Sequence, residues 1–286
     1  MKKVITPKSK GSTLIGQLAS LYELFRGINS SEELNFNLSE LRWANPLLIL
    51  PISAYINTTD SSFSINNSSD VGSYLSAINF PMGVDTVSEF QKRLQEGKSY
   101  IPISVLKKEA GAARERLESS FESMIYNSLD VGNIKGVSNA IYYPISELVT
   151  NIFEHSKQEK GFIFGQYYPK KNFLDICIVD RGRGLAGSYK EEKSLILTDD
   201  KAIEEVMRGN STKADKERGY GVRTSKRVVC EGLGGEFVLL SGSTALVSVG
   251  KKENLVSLPD FNWRGVILAY RIPRPTTPID ISPYLE

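Results

Sequence analysis

Apolar side chains recur at Leu106, Ala110, Ala113, Leu117, Phe121, Met124 and Ile125, with Lys, Arg and Glu between them. Steps of three and four residues place them on one stripe, so residues 105–129 predict an amphipathic helix that opens a second domain. Another helix is expected over residues 137–156. Two apolar runs follow at 161–168 and 173–179, separated by Pro169-Lys170-Lys171-Asn172, and they predict antiparallel neighbouring strands joined by a turn. After a long glycine-bearing stretch, 222–231 reads as a helix ended by Gly232, and strands at 236–241, 244–250 and 265–272 close the chain.

The amino-terminal part is patterned differently. Leu34, Phe36 and Leu38 alternate with polar residues as on a strand, Asn45-Pro46 marks a turn, and the dense apolar block at 47–56 predicts a buried helix or strand. Residues 57–73 are rich in Asn, Ser, Thr and Asp, which predicts a surface loop around at most one short strand near 63–65.

Composition narrows the class. With 286 residues, 41% hydrophobic and 24% charged, the chain is an ordinary globular protein with room for two modest domains. Its net charge of +2 gives no indication of nucleic acid or membrane attraction. The longest apolar stretch, 46–56, is interrupted by Pro51 and is far shorter than the roughly 18 residues of a membrane span. Cys177 and Cys230 both sit in apolar runs and no secretory signal is visible, so a cytoplasmic protein is expected. The single histidine, His155, cannot build a Cys/His zinc site with two scattered cysteines.

Two glycine-rich patterns compete. Gly182-Arg-Gly184-Leu-Ala-Gly187 matches the dinucleotide fingerprint G-x-G-x-x-G, with Asp199 near the place of a ribose-binding acid. Only six polar residues, 188–193, precede the apolar Leu195-Ile196-Leu197, too few for the crossover helix a parallel strand pair needs. A phosphate-binding P-loop is absent as well, because Lys92 stands where Gly97-Lys98-Ser99 would require a glycine.

Three other pieces combine better. Glu147, Asn151 and His155 recur every four residues and so present a carboxylate, an amide and an imidazole along one helical face. Asp180 ends a buried strand and is followed by Gly182 and Gly184, a setting in which an acceptor-only carboxylate can hold an exocyclic amine while backbone passes close to a flat ring. Gly219-Tyr220-Gly221 opens a helix whose free amides favour phosphate. From Arg208 to Arg227 there are seven cations and two anions, an excess that would attract a triphosphate, with Ser211-Thr212-Lys213 and Arg218 best placed to meet it.

Glu147-Leu-Val-Thr-Asn151-Ile-Phe-Glu-His155, Asp180-Arg-Gly182-Arg-Gly184-Leu185 and Gly219-Tyr220-Gly221-Val222 resemble the N, G1 and G2 boxes of the GHKL ATPase superfamily, in order, over residues 137–272. That group includes DNA gyrase, the mismatch-repair ATPase, sensor histidine kinases and anti-sigma-factor kinases. The resemblance implies an α/β fold, an α+β two-layer sandwich over 105–286. It implies that Asn151 coordinates Mg²⁺, Glu147 is the general base, Asp180 binds the adenine amine of ATP, and Gly182, Gly184, Gly219 and Gly221 shape the pocket. Residues 185–218 would be a mobile lid. One departure stands out: where the superfamily commonly has Gly-Thr, Gly265 is followed by Val266, so Thr244 or Ser241 is a candidate replacement for the missing hydroxyl.

Residues 1–104 are expected to form a smaller α/β domain. Within it, 35–46 and the apolar helix after them resemble the core of STAS-type regulatory domains. The whole then resembles a Mg²⁺-dependent ATP-binding protein with slow ATPase activity acting as a nucleotide-controlled signalling switch. Its implied partners are ATP and a protein docking on the lid or the N-terminal domain, and a homodimer is compatible. Two alternatives stay open: a protein Ser/Thr kinase of the anti-sigma-factor type, and a nucleotide-sensing module without turnover. A histidine autokinase is disfavoured, because His155 lies within the N box and no other histidine exists to accept phosphate.

Overall fold

The computed structural model describes residues 2–94, 99–132, 134–210, 212 and 221–285, the His155 side chain excepted. The first third runs β1 (Lys3–Ile5), α1 (Leu14–Phe25), β2 (Leu34–Asn37), α2 (Pro46–Thr58), β3 (Ser62–Ser64), α3 (Asp70–Ala77) and α4 (Val87–Arg93). Then come β4 (Ser104–Lys107), α5 (Ala112–Leu129), α6 (Val137–His155), β5 (Lys160–Tyr168), β6 (Phe173–Val179), α7 (Gly184–Lys193), α8 (Asp199–Met207) and α9 (Gly221–Arg227). The chain closes with β7 (Glu236–Gly242), β8 (Thr244–Val249), β9 (Lys252–Ser257) and β10 (Trp263–Pro273).

The later strands form a seven-stranded antiparallel sheet in the order β4-β5-β6-β10-β7-β8-β9, and β1, β2 and β3 form a small parallel sheet. The expected α/β class is therefore present. Because successive strand residues point to opposite faces, β5 sends Ile163 and Tyr167 one way and Phe162 and Phe164 the other. On the first face, Leu117 and Phe121 of α5 and Ile141, Ile145 and Leu148 of α6 pack with Ile176, Ile178 and Leu268. This is the sandwich of helices on sheet.

The opposite face is covered by the N-terminal segment. Leu21 of α1 and Leu47, Leu50 and Ala54 of α2 share a core with Phe164, Cys177, Leu240, Trp263 and Ile267. Sandwiched between the two sheets, α2 is apolar on every side, with residues 46–55 all buried. Its start is fixed by Asn45, whose side chain accepts from the Leu48 N–H at 3.0 Å, and by Pro46 in the first turn. A polar clamp also joins the layers: Asp175 accepts from Arg271 at 2.6 and 2.8 Å and from Gln17 of α1 at 2.8 Å.

Several elements differ from expectation. Residues 104–107 pair with β5, Ser104 opposite Ile163, so the helix expected from 105 begins only at Ala112. The edge strand β9 was not anticipated, and neither were α7 and α8 in the lid region. The helix after Gly221 ends in a wider π turn, Val228–Gly232. The strand before the G-x-G-x-x-G run lies between antiparallel neighbours, β5 and β10, which rules out the parallel dinucleotide-binding unit. Among the described residues, no helix is long and apolar enough to cross a membrane.

Candidate functional site

Leu148 and Ile152 fix the inner face of α6, and the same helical turn carries Asn151 to the edge of a pocket bounded on that side also by Ser156. The facing wall is the end of β6 and the start of α7, with Asp180, Gly184, Leu185, Ser188 and Tyr189. Gly221 and Val222 of α9 close one end, Val206 and Thr212 close another, and Leu239, Val266 and Leu268 form an apolar floor. Segments spread along the chain from Leu148 to Leu268 thus meet around one cavity.

Asp180 is the carboxylate of the pocket. The carboxyl is 4% exposed, and burial pushes its pKa up to about 7, although the N–H groups of Gly182 and Val266 pull the other way. One carboxylate oxygen accepts from Gly182 N–H at 2.8 Å, and the Asp180 carbonyl accepts from the Trp263 indole at 3.1 Å. The glycines here are steric requirements. Gly265 has φ +111°, and a Cβ on it would stand 2.2 Å from the Asp180 carbonyl oxygen; one on Gly182 would stand 2.5 Å from the Ser156 carbonyl oxygen.

Ser241, a candidate for the missing Gly-Thr hydroxyl, is engaged with backbone instead. Its Oγ accepts from Leu185 N–H at 3.0 Å and donates to the Gly265 carbonyl at 3.2 Å, holding the start of α7 against β10. Ser241 and Thr244 are buried and neither borders the pocket, whereas Val266 does.

At the other end, a Cβ on Gly221 would meet Glu147 Oε2 at 2.4 Å and Asn151 Nδ2 at 3.5 Å. The Asn151 amide nitrogen is buried without a hydrogen-bond partner. A buried, unpaired amide at the edge of a pocket is where a polar ligand group fits. Among the described residues, no three His, Cys, Asp or Glu side chains could hold a metal ion by themselves. A cation here would take Asn151 and the ligand's own oxygens.

The described part of residues 185–218, the expected lid, and its neighbours are fastened by side chains. Arg183 pairs with Glu191 at 2.7 Å and Glu192 at 2.8 Å, and Asp199, the acid considered above for ribose, instead accepts from Ser243 N–H at 2.8 Å and Ser243 Oγ at 3.0 Å. Ser188 and Thr212 hydroxyls lie 3.1 Å apart across the pocket's edge. Part of the basic run is spent elsewhere: Lys226 is buried against Glu253 of β9, and Arg208 pairs with Glu204 and Glu205. Ser211, Lys213, Arg218, Gly219 and Tyr220, and the His155 side chain, lie outside the described residues. Ser156, Ser188, Tyr189 and Val206 border the pocket without having been singled out. The only sequence signal for Ser156 was its place at the end of the Glu147–His155 helix.

No family model matches the chain, and no curated protein matches it. Among solved structures, it is similar to the histidine kinase domain of the blue-light-activated histidine kinase EL346 from Erythrobacter litoralis. The two are 15% identical, with 72% of this chain and 86% of that one covered, at a TM-score of 0.27.

Proposed function

We propose that this chain is an ATP-binding protein of the GHKL type, a nucleotide-controlled signalling switch with slow intrinsic ATPase activity in the cytoplasm. One observation carries the proposal: Asn151, Asp180, Gly184 and Gly221, from three separate sequence motifs, border a single pocket. In it, Asp180 accepts the adenine amine, and the glycine backbone gives the flat base clearance. Asn151 borders the pocket beside Gly221, where the phosphates would lie, and Glu147, which does not itself line the pocket, stands against Gly221. The Asn151 amide oxygen would hold Mg²⁺ bound with ATP, which would supply neutralisation of phosphate charge, and Glu147 would accept a proton from the attacking water.

The N-terminal segment is positioned to report on the site. Arg181, next to Asp180, lies 4.2 Å from the Tyr55 ring and 4.9 Å from the Trp263 ring, and donates to the Ser30 carbonyl at 2.5 Å. A change at Asp180 is thereby one peptide away from α2 and the loop after α1, which favours a role for residues 1–104 in regulation; their STAS-like character rests on sequence alone. The buried, free Cys177 and Cys230 suit a reducing compartment.

Release of γ-phosphate from Mg²⁺·ATP tests the proposal. Glu147→Gln should lower turnover on the order of 10²–10⁴-fold while ATP stays bound, whereas Asn151→Ala should impair both. Turnover that survives in Glu147→Gln contradicts the general-base assignment. Label transferred to a Ser or Thr of a partner protein instead of to water selects the kinase alternative.

A further inference from the structure

A second cavity, of about 940 Å³, lies on the opposite face of the sheet, between the N-terminal layer and the end of β5. It shares no lining residue with the Asp180 pocket. It also sits at the other end of β6, because Tyr168 on its wall pairs with Phe173, the first residue of that strand, while Asp180 follows the last. Its volume is that of a small-molecule site.

The walls are aromatic. Trp43 and Tyr168 are stacked, with ring centroids 5.8 Å apart and planes 26° apart, and Tyr74 meets Tyr100 edge-on at 6.2 Å. Trp43 remains 46% exposed, an indole presented to solvent at the cavity edge. Gln166 is held rigidly between them: it accepts from the Tyr74 hydroxyl at 2.6 Å and donates to the Ser99 and Tyr167 carbonyls at 3.1 and 2.6 Å.

Around the opening stand three exposed cations, Arg42, Lys170 and Lys171, against one carboxylate, Asp70. The local field therefore favours an anion.

We propose that this cavity binds a small anion built on a flat aromatic ring. The ring lies against the aromatic walls that Trp43, Tyr74, Tyr100 and Tyr168 supply, and its carboxylate or phosphate faces Lys170, Lys171 and Arg42. Stacking and charge together define the class; aromatic carboxylates and pyrimidine nucleoside monophosphates both meet it.

Calorimetry on the full chain tests this with three probes: 4-hydroxybenzoate, its neutral analogue 4-hydroxybenzamide, and uridine 5′-monophosphate. At least one anion should bind saturably at one site per chain, and which one does so tells carboxylate from phosphate. The amide should bind about tenfold more weakly than 4-hydroxybenzoate if the carboxylate is taken, and Lys170→Ala/Lys171→Ala should weaken the bound anion by about tenfold. Both lysines are exposed, so this variant keeps the fold, which an unchanged Tm would confirm. Trp43→Ala supplies an independent readout: the indole is 46% exposed, so its removal should weaken binding by about tenfold through loss of a stacking face while the fold, checked by Tm, is kept. No saturable binding of either anion at millimolar concentration overturns the proposal. Binding that both variants leave unchanged does the same.

Discussion

Gly221 stands against Glu147 so closely that a methyl group on the glycine would come within 2.4 Å of the carboxylate oxygen. The obstructed atom is the far end of a flexible side chain, so the protein can accommodate Gly221→Ala by turning Glu147 away. The expected result is a protein of near wild-type Tm whose ATP turnover drops towards that of Glu147→Gln. Wild-type turnover in Gly221→Ala would show that the Glu147 position does not matter to the reaction.

Gly265 and Gly182 face backbone instead, and the outcome should differ in kind. Gly265 combines φ +111° with a Cβ position 2.2 Å from the Asp180 carbonyl oxygen, so Gly265→Ala must shift the strand end itself. A loss of about 1–3 kcal/mol or more is expected in urea unfolding, from backbone strain alone. Gly182→Ala, facing the Ser156 carbonyl, should also destabilise and should weaken nucleotide binding by displacing Asp180.

Burial lifts the Asp180 carboxyl to about 7 from the ordinary 3.8, which sets a direction for pH dependence. Between about pH 4 and 7 the unfolded chain has released this proton while the folded chain keeps it. Stability from this group therefore falls as pH rises through that window and levels off above it. Glu118 and Glu122, also raised to about 7 by burial, add slopes of the same sign, so the difference between wild type and Asp180→Asn isolates Asp180. Adenine recognition needs the ionised form, so ATP affinity should fall by about tenfold for each pH unit below 7. A pH-independent affinity between pH 8 and 6 would place the adenine elsewhere.

Asp175 is buried with Arg271 and Gln17, joining the N-terminal layer to the sheet. Removing one member strands the other's charge. Asp175→Ala should cost about 3–5 kcal/mol of unfolding free energy, and a double variant that also replaces Arg271 with Met should recover much of it. Chemical denaturation of the three proteins measures both.

That Asn151, Asp180 and Gly221 meet at one pocket was more legible in the sequence than the scaffold around it. Glu147 and Asn151 were legible because a four-residue repeat on an amphipathic helix has one geometric meaning, and Asp180 because an acid followed by two glycines after an apolar run ends a strand. What it hid was decided by tertiary contacts. Ser104–Lys107 continues into the helical repeat after it and becomes a strand only by pairing with β5. Lys252–Ser257 is exposed throughout, so no alternation marks it, and its pairing with β8 alone makes it a strand. Ser241 looked like a candidate for the base and instead fastens Leu185 to Gly265, a role set by three segments that meet only in the fold. The shared core between residues 14–54 and the sheet had no local signature either.

The central claim is that Asp180 reads adenine in this pocket, and calorimetry with ATP and GTP in the presence of Mg²⁺ tests it most directly. Adenine offers an amine to an acceptor-only carboxylate where guanine offers a carbonyl, so ATP should bind and be preferred. Asp180→Asn should weaken ATP by about 1.5–3 kcal/mol, the worth of a hydrogen bond to a charged group, and should narrow the gap to GTP. Equal affinity for the two nucleotides, or ATP binding unchanged in Asp180→Asn, would contradict the account.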